Sequence, residues 1–195
     1  MSIQNQLDLA SPLHTVVFTC LITVFYATAH TGELTTKTLR SFDPLLHVKP
    51  SNVHADHDRQ GNWVINFHLP KTKSAPDGED INWARQEGPS DPLSVFGNHL
   101  TPLTKAKFLS VLASALKEAG KPPLQGHGIC IGSTLEYLLR NVLFDVVKVK
   151  GRWGNDAFLV YLCRHAQILA PYMQAQPPGV NTMPTHHMGI PEYHQ

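Results

Sequence analysis

The chain has 195 residues; 42% are hydrophobic, 16% are charged, and the net charge is +1. That length holds one ordinary domain rather than two well-cored ones, and the apolar fraction excludes a wholly disordered chain. Charged residues fall below the usual ~25%, so the totals do not describe a strongly basic nucleic-acid binder. Twelve histidines is a high count, while the three cysteines (Cys20, Cys130, Cys163) include no C-x-x-C pair. They are too few and too scattered for a disulfide framework or a zinc knuckle, which points to reduced thiols in an intracellular protein.

Val16 to Ala29 is the longest apolar run, 14 residues including Thr19, Cys20, Thr23 and Thr28. A bilayer needs about 20, and the run lacks the basic start of a signal peptide, since Lys37 is the first Lys or Arg. A buried helix over residues 11–29 is the better reading, with Ser11-Pro12 as N-cap and first-turn pair. A short second helix or turn is expected over 33–40, closed before Pro44. Residues 47–55 and 63–69 then read as strands around a polar turn at 58–62, with 80–85 as a third. From Pro92 the pattern turns helical. Segments 92–100, 104–119, 131–139, 144–149 and 155–170 carry it, and Gly120 stops the clearest of them. The expected fold is α+β, mainly helical with a small three-stranded antiparallel sheet. One domain spans residues 1–176, and 177–195 form a flexible tail containing Pro and His.

Taken singly, the candidate chemical groups are weak. The chain lacks a phosphate-binding loop, a dinucleotide fingerprint, H-E-x-x-H and G-x-S-x-G. His54-Ala-Asp56-His57-Asp58 holds groups able to bind metal but falls in the expected hairpin turn, and His186-His187 lies in the tail, so no metal site is expected. Between 140 and 164, five basic side chains (Arg140, Lys148, Lys150, Arg152, Arg164) face two acidic ones (Asp145, Asp156). A local excess beside a glycine turn fits phosphate contact as well as an ordinary solvated face.

Five pieces in order carry more weight: Ala29-His30-Thr31-Gly32-Glu33; Leu69-Pro-Lys71-Thr-Lys73; His127-Gly-Ile-Cys130; Gly151-Arg152-Trp153; and Tyr161-Leu-Cys163-Arg164-His165. Their order resembles the catalytic domain of the tyrosine recombinases, of phage-integrase type, closest to forms carried by eukaryotic mobile elements. The resemblance runs from about Leu13 to Met173. It implies site-specific DNA recombination or integration through a 3′-phosphotyrosyl intermediate, with Tyr161 as nucleophile, Lys73 as general acid and His127 as acid–base histidine. Trp153 takes the His/Trp place, although counting back from Tyr161 also allows Arg152, and Glu33 braces the site. Lys71, Lys148, Lys150, Arg152 and Arg164 are the expected DNA contacts. Bond energy is conserved in this chemistry, so neither cofactor nor nucleotide is implied.

The departures bear on activity. Where the family has two arginines that grip the phosphate, this chain has His30 and Cys130. A histidine lacks the planar fork, and a cysteine brings neither charge nor a strong donor. Cys163 also stands where related sequences tend to carry Arg. Arg to His and Arg to Cys are each one transition from CGC or CGT, as expected of CpG decay in an idle mobile-element copy. A family member also grips DNA with a separate N-terminal helical domain. Only about a dozen residues precede the first helix here, so the expected DNA binding is weak and salt-sensitive. The expected partner is double-stranded DNA, with self-association on it and no membrane, in an intracellular and nuclear setting. The expected activity is that of a recombinase impaired by loss of both clamp arginines, the alternative being a non-catalytic DNA-binding or protein-interaction remnant of a mobile-element recombinase.

Overall fold

Helix α1 (Pro12–Tyr26) is buried on two opposite faces. Phe18, Ile22 and Tyr26 recur every four residues and pack toward the sheet, while Val16, Val17, Cys20 and Val24 pack toward other helices. This is why the first helical run is apolar almost throughout rather than amphipathic. The structure is a computed structural model that describes residues 3–86 and 102–154. The helices expected at 92–100 and 155–170, the tail, Tyr161, Cys163 and Arg164 lie outside those residues.

After α1 come a single helical turn, α2 (Thr31–Leu34), and a 3₁₀ turn at Leu39–Ser41, where the sequence suggested one segment over 33–40. Between them Thr36 leaves the helical path to form a parallel bridge with Thr104, its N–H donating to the Leu103 carbonyl at 2.9 Å. Strands β1 (Val53–His57), β2 (Trp63–Leu69) and β3 (Glu79–Ala84) form an antiparallel sheet in the order β1-β2-β3. The three-stranded antiparallel sheet is as the sequence suggested, but β1 begins at Val53 rather than His47. Pro50 opens a 3₁₀ turn over Pro50–Asn52, which delays the extended conformation. His54, Asp56 and His57 consequently lie on the exposed edge strand, not in the turn. Asp58 closes the turn by accepting from the N–H groups of Gln60 and Asn62, each at 2.8 Å.

The register Ile65↔Trp83 and Phe67↔Ile81 puts four large apolar side chains on one face, all buried under α1. Burying each contributes roughly 1.5–3 kcal/mol. Helices α3 (Lys105–Glu118), α4 (Gly126–Leu139) and α5 (Phe144–Lys150) follow. Phe108 and Leu112 of α3 and Ile129 of α4 complete the second apolar cluster around α1. No helix among the described residues is long and apolar enough to cross a membrane.

Candidate functional site

Two helix ends aim the chain into one junction. After α1, Thr28 adopts φ 52°, and the Ala29 N–H donates back to the Val24 carbonyl. After α5, Arg152 adopts φ 56°, and the Trp153 N–H donates to the Lys148 carbonyl. Both are left-handed terminations that glycine usually fills, as Gly120 does after α3 at φ 66°. A side chain in this conformation costs roughly 1–2 kcal/mol, so each must be held by its surroundings. The Thr28 hydroxyl is held by the Ser133 hydroxyl of α4 at 3.0 Å. Arg152 is held by two carboxylates.

The Arg152 guanidinium reaches α2 and β3 together. Its Nη2 donates to Glu33 Oε2 at 2.6 Å and its Nη1 to Glu79 Oε1 at 2.8 Å. The Arg152 and Glu33 side chains are both only 13% exposed. Glu33 Oε2 also accepts the His30 N–H at 2.9 Å, fixing the start of α2. Glu79 accepts the Thr72 hydroxyl in a short hydrogen bond and the Ser74 hydroxyl at 3.3 Å. Burial works to raise the Glu79 pKa, but the Thr72 hydroxyl and the Arg152 charge outweigh it, and the carboxyl stays below its ordinary value. Burial likewise opposes the Arg152 charge, while its two carboxylates more than restore it. The fork is therefore committed to protein carboxylates, although Arg152 Nε is buried with no partner among the described residues.

The neighbouring corner carries no such charge. Helix α4 approaches α2 closely because its first residue is Gly126: a Cβ there would sit 2.5 Å from the Thr31 hydroxyl. One turn on, Cys130 Sγ donates to the Ala29 carbonyl at 3.0 Å and lies 3.9 Å from His30 Nδ1. Burial, followed by the nearby Glu33 carboxylate, pushes the Cys130 thiol up to about 11. Near neutral pH it is a protonated, poorly nucleophilic thiol. The site is thus a junction of α2, α4, the end of α5 and the β2–β3 turn, with a carboxylate-bound arginine on one side and a buried thiol beside His30 on the other.

Of the residues singled out in the sequence, the structure brings together His30, Glu33, Cys130 and Arg152. Lys73 is exposed and lies between Thr72 and Ser74, whose hydroxyls both bind Glu79, so its turn is tied to Arg152 through that carboxylate. His127 is exposed on the first turn of α4, one turn before Cys130. The Trp153 ring lies over Gly151, where a Cβ would approach it to 2.6 Å. Lys71 is exposed, and Lys148 is half-buried on α5.

Two of the expected DNA contacts are engaged inside the protein. Arg152 is bound by Glu33 and Glu79. Lys150 donates to the Asn82 carbonyl at 3.0 Å and stands 5.3 Å from the centre of the Tyr137 ring. Burial pulls its pKa down to about 8.

Sequence reasoning missed Glu79, Thr72 and Gly126. Glu79 is one of three acidic residues within four positions, with Asp77 and Asp80, and only the fold shows that it faces Arg152. Gly126 stood next to a motif already noticed, and its helix-opening position was the available signal. Among the described residues no group of three or more His, Cys, Asp and Glu side chains could hold a metal ion. Set against known protein families, curated proteins and solved structures, the chain matches none of them.

Proposed function

We propose that this chain is a tyrosine-recombinase-like DNA breaking-and-rejoining domain whose catalytic step is impaired. One observation carries the reading. His30 and Cys130, 100 residues apart and both noted as replacements for gripping arginines, lie 3.9 Å from each other. They do so beside Glu33, the residue assigned to brace the same site. A resemblance built on unrelated short matches gives no reason for these positions to meet.

In this reading the Tyr161 oxygen attacks a DNA phosphate, the phosphorus–O5′ bond breaks, and Lys73 delivers a proton to the departing 5′ oxygen. His127 takes the tyrosine proton, Trp153 packs beside the phosphate, and Glu33 holds the site together through Arg152 and the His30 N–H. No side chain at positions 30 and 130 forms a bidentate contact to the non-bridging oxygens. Removing one such stabilising donor lowers rate by ~10²–10³, and losing two lowers it by about 10⁴–10⁶ once non-additivity is allowed for. Lys71, Lys148 and Arg164 supply the contacts to the DNA backbone. Lys150 and Arg152 contribute only after leaving their internal partners.

The test is a covalent-trapping assay on double-stranded suicide substrates. The chain as it stands is expected to give little or no Tyr161–DNA adduct, and the double substitution His30→Arg with Cys130→Arg is expected to raise the yield. Salt-sensitive binding without an adduct from either protein would favour a DNA-binding remnant that performs no chemistry. Absence of both adduct and DNA binding would sink the recombinase reading.

A further inference from the structure

A second feature adjoins α2, whose Glu33 and Leu34 both line it. Helix α1, the segment 33–50, Phe67 of β2 and Leu103 surround a cavity of about 300 Å³. Val16, Val48, Phe67 and Leu103 make its lining mostly apolar, Cys20 and Thr23 contribute from α1, and Glu33, His47 and Lys49 are its ionisable residues. Thr23 is only 2% exposed, and its hydroxyl oxygen is buried without a hydrogen-bond partner among the described residues. Buried hydroxyls are paired as a rule, and on a helix the usual partner is the carbonyl four residues back. Thr35, also lining the cavity, follows that rule by donating to the Thr31 carbonyl. Thr23 departs from it.

We propose that this cavity is a binding site for a small, mostly apolar molecule carrying one hydrogen-bonding group, which pairs with the Thr23 hydroxyl. The volume sets the size of the guest. A cavity of ~150 Å³ lined by Leu, Ile and Phe holds benzene, so twice that space takes roughly a dozen non-hydrogen atoms. Chemistry sets the polarity, because an apolar wall with one unpaired hydroxyl favours a single donor or acceptor over a strongly polar ligand. The hydroxyl oxygen itself is buried rather than exposed on the cavity wall. Helical threonine has two accessible χ1 rotamers about 120° apart, so a change of rotamer moves the oxygen from its covered position to one that a guest can reach. Neither DNA binding nor recombination enters this assignment.

Indole and indene test it, since they share shape and differ by one ring N–H. The full chain, labelled at its methyl groups, is titrated with each and followed by NMR. Indole is expected to bind saturably with shifts centred on Val16, Thr23 and Leu103, about threefold to tenfold more tightly than indene, the range of one net hydrogen bond. Thr23→Val, an isosteric change, is expected to abolish the preference, and Thr23→Ser to keep it. No saturable binding of indole to the unaltered chain overturns the proposal. So do shifts confined to other regions, equal affinity for the two probes, or a preference that survives in T23V. If T23V fails to fold, the shift map and the two affinities of the unaltered chain still decide the matter.

Discussion

Arg152 and Cys130 stand at the same junction and illustrate opposite fates of a polar site. Around Arg152 both terminal nitrogens are matched: one guanidinium ties a helical turn to the first residue of a strand. Around Cys130 helix α4 also comes close to α2 at Gly126, but the contact is a protonated thiol on a carbonyl beside a histidine. The difference separates two things a catalytic domain needs. The scaffold that gathers the residues depends on helix ends, glycines and a buried ion pair. Under the proposed recombinase reading, the charge that would act on a phosphate depends on side chains that here are histidine and cysteine.

If Arg152 is the structural half of this pair, its loss should dominate. Arg152→Ala leaves Glu33 and Glu79 without their cation and is expected to lower stability by ~3–5 kcal/mol, read by urea unfolding. Arg152→Gly should fall short of that loss by roughly 1 kcal/mol, because glycine adopts the left-handed conformation without strain. Equal losses in the two variants would show that the backbone at 152 stores no strain.

Glu79→Gln sharpens the same half at smaller cost. Its expected loss near neutral pH is ~1–3 kcal/mol, since a charge-assisted bond to Arg152 becomes a neutral one. The Glu79 carboxyl is held below its ordinary pKa in the folded protein. Its contribution is therefore present above the ordinary carboxylate range and disappears as pH falls through the folded value. The gap between the two proteins should close in acid, and a pH-independent gap would mean that the ion pair is not its source.

The smallest effect belongs to the neutral half. Cys130→Ser keeps a donor for the Ala29 carbonyl and should change stability by less than about 1 kcal/mol. With its thiol pushed up to about 11, Cys130 should react with iodoacetamide at pH 8 roughly 100-fold more slowly folded than unfolded in urea. Mass spectrometry assigns the labelled site. Rapid labelling of folded Cys130 would place it in an active thiol environment and break the contrast with Arg152.

Much of the scaffold was legible in residue order. The apolar run 16–29 marked the central helix, and alternation at Trp63–Leu69 marked the middle strand. Gly120 marked the stop of α3; the structure adds the cap at its start, where the Thr104 hydroxyl accepts the Lys107 N–H. Errors fell where local and tertiary demands compete. Pro50 delayed β1, and the Thr36–Thr104 bridge split the expected second helix. His30, Glu33 and Cys130 could be singled out from short motifs. Glu79 could not, because its role depends on which distant residue faces it.

By itself, then, the sequence determined the class of the fold, the central helix and the residues around which a site could gather. Those follow from local periodicity, caps and breakers, which act over a few residues. Tertiary structure alone decided that Arg152 serves Glu33 and Glu79, that Cys130 rests on the Ala29 carbonyl, and that Thr23 sits unpaired beside a cavity. Each of these depends on groups far apart in the chain meeting within hydrogen-bond range, or failing to meet. Burial makes the distinction consequential, because a polar group removed from water depends on the partner the fold provides.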